Sequence, residues 1–129
     1  MPIVQITLTD VWAPEQARGI SDAIHDALLA AFKMPESDYI HRIHRSGGNE
    51  EFVLSPSKSV KTVVVEMTIF PGRTREAKAK LYKEVADRLA PFGIAPHEIL
   101  IALHELPMEN WGIRGVPADQ VDLGFETRV

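Results

Sequence analysis

Cysteine is absent from this chain, which removes any disulfide framework and any thiol chemistry and fits a reducing compartment. Long hydrophobic runs are missing too. No apolar stretch approaches the length of a membrane span, and no basic segment followed by a hydrophobic one opens the sequence. A cytoplasmic protein with no membrane partner is therefore expected. An excess of positive charge is also lacking: the net charge of −4 argues against non-specific binding of nucleic acid. What is present is 129 residues, 45% of them hydrophobic and 25% charged, enough for one globular domain over residues 1–129 with a real core. Basic residues cluster once, at Arg73, Arg75, Lys78, Lys80, Lys83 and Arg88. Glu76, Glu84 and Asp87 interleave with them, so from Lys78 onward the stretch reads as the solvated face of a helix.

The first strand carries the residue of most chemical interest. Val4, Ile6 and Leu8 alternate with Gln5, Thr7 and Thr9, the pattern of a strand with one buried face, and Pro2 falls on that face at its start. Pro2 directly follows Met1. If Met1 is removed, Pro2 becomes a secondary amine rather than an amide. Apolar burial or a nearby cation would then lower its pKa towards a neutral form able to take protons near neutral pH. The plain alternative is an inert proline.

After this strand, Pro14 and Glu15 open a helix whose core face is Ile20, Ile24, Ala27, Leu28 and Ala31. Pro35 follows its end, and residues 39–44 form a second strand. Residues 46–49 make a turn, and a loop or short hairpin holds Phe52, Val53 and Leu54. Residues 62–70 are the most strand-like run, broken by Pro71 and Gly72. Thr74 can cap a second helix with apolar positions Ala77, Leu81, Val85 and Leu89, and residues 99–103 make a fourth strand. A gapless shift of about 61 positions superposes strand phase, helix phase and the proline after each helix, Pro35 on Pro96. The fold class that follows is α/β (α+β): duplicated β-α-β units at 2–45 and 61–105, a four-stranded mixed sheet with two helices on one face, and a tail at 106–129. A β-α-β crossover makes its strands parallel, so Asp38 arrives at the sheet edge of Pro2. If the two units pack antiparallel, the end of strand 62–70 comes there as well and delivers Arg73 and Arg75.

Residues 2–4 at the start, Gly72, Arg73 and Thr74 leading into a helix, and residues 110–115 near the end resemble the tautomerase superfamily. The full-length duplicated form is most similar to its malonate semialdehyde decarboxylase branch. The resemblance implies that Pro2 is the general acid/base, and that Asp38 matches the aspartate which holds the proline or orients a water. It places Arg73 on the second of two arginines, with Pro71 on the first. Arg75 either replaces the missing arginine or faces solvent. Trp111 and Ile113 fit an aromatic wall lining the substrate, with Ile113 in place of a ring. It further implies a homotrimer, its C-terminal segment from Trp111 to Phe125 reaching across to cover the sheet face that bears Val64 and Phe70. It also implies a small carboxylate substrate and no cofactor.

These residue types suit keto-enol chemistry. A neutral amine can shuttle the proton, and a guanidinium can hold the carboxylate of a 2-oxo acid and stabilise the enolate oxygen. Hydration or decarboxylation at the same site is the alternative, and a non-catalytic binding module follows if Met1 is retained. Five histidines invite a metal reading, but His41 and His44 are three apart in a strand and point to opposite faces, so no metal site is expected.

Overall fold

The computed structural model describes residues 2–47 and 51–124. Strand β1 (Pro2–Thr9) is followed by α1 (Pro14–Phe32) and β2 (His41–Ser46). Strand β3 (Val63–Ile69), α2 (Arg75–Leu89) and β4 (Ile99–Glu105) repeat the pattern, and a small hairpin, β5 (Gly112–Ile113) and β6 (Val116–Pro117), follows. The sheet order is β2-β1-β3-β4, with β1 parallel to β2, β3 parallel to β4 and β1 antiparallel to β3. This is the mixed sheet of two β-α-β units expected from the sequence, with the units joined antiparallel through β1 and β3.

Period two and period 3.6 meet in one core. Val4, Ile6 and Leu8 of β1 and Val63, Val65, Met67 and Ile69 of β3 point to the same side and are buried. Ile20, Ile24 and Leu28 of α1 and Leu81, Val85 and Leu89 of α2 cover them. Each such side chain contributes roughly 1.5–3 kcal/mol by leaving water, so the two helices are held mainly by packing. Local signals set their ends. The Ala13 N–H donates to Gln16 Oε1 at 2.8 Å and Pro14 occupies the first turn of α1, while Lys33, at φ 50°, ends it in the left-handed region. Thr74 caps α2 as expected, its hydroxyl accepting from the Ala77 N–H at 3.0 Å.

The structure adds detail to these expectations. Strand β2 begins at His41, two residues beyond the predicted 39, and residues 51–54 take the loop form of the two expected there. Phe70, expected on a sheet face awaiting a neighbour, is buried within the chain against Trp111. In the single chain, Trp111, Ile113, Ala118 and Leu123 of the segment expected to reach across pack with Phe70; Phe125 lies outside the described residues.

Candidate active site

Register builds the site. Val4 pairs with His41, and the Val4 N–H donates to the Ile40 carbonyl at 3.0 Å, so the residues just before Ile40, Asp38 among them, stand at the sheet end where β1 starts. Pro2 pairs with Ile69 on the other side, and the Leu106 N–H donates to the Ile69 carbonyl at 3.1 Å. Three chain segments therefore converge beside a buried Pro2. Beyond Phe70 the chain turns through Gly72, whose φ of 104° is open to glycine alone, and this sends Arg73 back under α1.

Arg73 is buried, with its guanidinium 4.7 Å from the centre of the Phe32 ring and Nη1 donating to the Phe32 carbonyl. It thus answers one of the orphan carbonyls at the C-terminal, negative end of α1. Arg75 is the first residue of α2 and is exposed.

A cleft of about 240 Å³ opens at this sheet end. Ser37 and Asp38 line it from the loop after α1, Phe70 from the end of β3, Ile113 and Arg114 from the hairpin, and Leu123 from the tail. Of the expected site residues, Asp38 and Ile113 are on this wall. Pro2, Arg73, Arg75 and Trp111 are not among its lining residues. Trp111 stands behind it: its ring meets Phe70 edge-on with centroids 4.9 Å apart, and its Nε1 donates to the Leu106 carbonyl at 3.2 Å. Phe70 and Arg114 were not among the expected site residues. Arg114 had one available signal, the Arg-Gly pair between two short apolar stretches, which is a two-residue hairpin turn.

A family model described as "Tautomerase enzyme" matches residues 38–114, more than half of the chain. The chain belongs to this tautomerase family. The matched span contains Asp38, Arg73, Trp111 and Arg114 and leaves Pro2 outside. The tautomerase resembles the "Probable tautomerase YusQ" of Bacillus subtilis (strain 168), with 26% identity over 95% of this chain and all of that one. Its fold matches FG41 malonate semialdehyde decarboxylase inhibited by 3-bromopropiolate, with TM-score 0.75, 27% identity, and coverage of 84% of this chain and 86% of that one. It also matches a fused 4-OT symmetric trimer, with TM-score 0.76, 18% identity, and coverage of 91% and 96%.

In the tautomerase, the loop bearing Asp38 is tied to α1 by a polar and aromatic lock. Tyr39 donates to Asp22 Oδ1 at 2.6 Å, which leaves its oxygen to accept from Ser21 at 2.8 Å. The Ser21 oxygen then accepts from His41 Nδ1 at 2.8 Å, because each hydroxyl has a single proton to give. Buried His25 stacks on Tyr39 at 4.2 Å, and its Nε2 bonds the Glu36 carbonyl at 3.0 Å. Burial, and then the neighbouring His25 and Arg18, push the His41 pKa down to about 4, with Asp22 opposing them. His44 points to the other face and meets Gln5 Oε1 at 3.2 Å, so the two histidines diverge as the strand period requires.

Proposed function

We propose that this tautomerase uses Pro2, exposed as a secondary amine by loss of Met1, as the acid/base for keto-enol tautomerisation of a small 2-oxo or enol carboxylate. One observation carries the reading: parallel pairing to β2 and antiparallel pairing to β3 bring the Asp38 loop and the Phe70 end of β3 to the start of the strand that Pro2 opens. In the forward direction the neutral proline nitrogen takes the enol O–H proton while the C=C π pair moves towards the α-carbon. The protonated nitrogen then delivers a proton to that carbon, leaving the ketone and restoring the amine. Arg73 stabilises the oxygen as it becomes anionic. No cofactor is needed for this step.

Decarboxylation or hydration is the second reading, favoured by Asp38 on the cleft wall, where a carboxylate can orient a water, and by the 27% identity to a malonate semialdehyde decarboxylase. As in the fused 4-OT trimer, we take the chain to assemble as a homotrimer.

Intact mass fixes whether Met1 is gone, and retention would favour a binding module. With Met1 removed, Pro2→Ala is expected to lower kcat/KM for phenylenolpyruvate by about 10²–10⁴-fold. Unaltered turnover in that variant would overturn the assignment. Parallel assays on malonate semialdehyde separate the two readings.

A further inference from the structure

One more cation faces the cleft. Arg114 and Asp38 are the charged residues on its wall. Arg18, Arg45, Arg73 and Arg88 are engaged by Asp22, the Trp12 carbonyl, the Phe32 carbonyl and Glu84 respectively. Arg114 makes no hydrogen bond or ion pair with another described residue.

Its placement is built rather than incidental. Ile113 pairs with Val116, so the β5–β6 turn is only Arg114 and Gly115, with φ 55° and 82°. Positive φ at both turn positions defines a tight primed turn, which favours Asn-Gly. An arginine in the first position costs backbone strain and gains no hydrogen bond or ion pair among the described residues. Such strain concentrates where a side chain serves a ligand. The hairpin is anchored at its root, where the Ala118 N–H donates to the Trp111 carbonyl at 2.9 Å and Trp111 packs on Phe70. The anchored hairpin therefore brings Arg114 to a cleft whose other wall residues include Ser37 and the apolar Phe70, Ile113 and Leu123, which suit an apolar body the size of a single ring beside a polar group.

We propose that Arg114 binds the substrate carboxylate, supplying the second cation that Pro71 does not, and that it makes a carboxylate substrate preferred over its neutral ester. This rests on the tautomerase reading above. The guanidinium offers a fork of N–H donors to the two carboxylate oxygens, while the enol end of the molecule is left to Pro2 and Arg73.

The test has a binding arm and a kinetic arm. Calorimetry with 3-phenylpropanoate, a carboxylate that does not react, compares the wild type with Arg114→Gln, Arg114→Asn and Arg114→Lys. Kinetics compare phenylenolpyruvate with its methyl ester. Arg114→Gln is expected to weaken carboxylate binding about 10–100-fold, to lower kcat/KM for the acid by a similar factor, and to leave the ester within about threefold. Arg114→Lys should fall between. Arg114→Asn should lose binding like the Gln variant yet raise Tm by roughly 3–6 °C, because the turn prefers it, which separates lost recognition from lost folding. Carboxylate binding that depends on Arg114 without turnover in the wild type would keep this inference and overturn the tautomerisation reading. Unchanged affinity and acid-to-ester ratio in Arg114→Gln, or no carboxylate binding by the wild type, would overturn the inference itself.

Discussion

A buried guanidinium must satisfy its donors locally, and Arg73 does so in part against the end of α1, so its removal has two consequences. Loss of the contact to the Phe32 carbonyl and ring should cost roughly 1–3 kcal/mol of stability. Loss of oxyanion stabilisation should cost on the order of 3 kcal/mol in the transition state, about a hundredfold in kcat/KM. Arg75 is exposed, and water and salt screen it. Arg73→Ala is therefore expected to lower both Tm and kcat/KM, the latter by at least about two decades, and Arg75→Ala to change kcat/KM by about one decade or less. Thermal melts and steady-state kinetics on the same preparations check both. Equal large kinetic losses would mean that Arg75 stands in for the arginine missing at Pro71. At this scale the sequence was informative where local pattern and topology agree, as for Asp38, which needs only a parallel crossover to stand at the sheet end where β1 starts. It left Phe70 on a face awaiting a neighbour, because strand period does not tell such a face from one covered by Trp111, a residue forty-one positions on.

Among the elements, the link between α1 and β2 is the one that decides where Asp38 sits, and it is held by the polar groups of Ser21, Asp22, Tyr39 and His41. His41 bears on this through linkage. Its folded pKa of about 4 lies below its ordinary value of 6.5, so between those values the unfolded chain binds a proton that the folded chain does not. Stability therefore falls as pH drops from about 6.5 to about 4, by on the order of 2 kcal/mol once partial exposure to water is allowed for. His41→Gln should flatten this part of a Tm-against-pH curve while keeping a donor for Ser21. A slope as steep as in the wild type would show that His41 does not carry it. Glu98 acts in the same direction lower on the scale. The Thr62 hydroxyl, and then the Ser59 N–H, hold its carboxyl below the usual range, so its contribution is present above that range and is lost as pH falls through the lowered value. Thr62→Val should remove much of that acid sensitivity. None of these contacts was readable in advance, because Ser21, Tyr39 and His41 meet only once helix and strand are packed. The same packing explains the shortened β2: Tyr39 is drawn to Ser21, Asp22 and His25 instead of continuing the ladder.

For the whole molecule, the repeat was legible because hydrophobic phase survives where identity does not. The shift of 61 takes Pro2 to Val63 and Pro14 to Arg75, the observed starts of β1 and β3 and of α1 and α2. It fails at the second strands: His41 would fall on Ala102, whereas β4 begins at Ile99, because α2, at 15 residues, is shorter than the 19-residue α1. Both helices lie on one side of the sheet, so the other side is open. Ile3 and Leu100 point there and are 40% and 64% exposed. Val64 pairs with Leu100 across β3 and β4, Thr68 pairs with Ile3 across β1 and β3, and Glu66 lies between them. Among the described residues nothing is left to cover this face, since the described tail packs on Phe70. In the proposed homotrimer these apolar positions are covered by neighbouring copies, and a charge placed among them has to be desolvated on association. Light scattering is therefore expected to give about three times the 14.4 kDa chain mass at micromolar concentration, and Leu100→Glu to shift that mass towards the single chain without unfolding it. A wild type that stays at the mass of one chain would overturn the trimer and leave the open face to water. A trimer indifferent to Leu100→Glu would place the interface on the edge strands β2 and β4, whose outer backbone groups are unpaired within the described sheet.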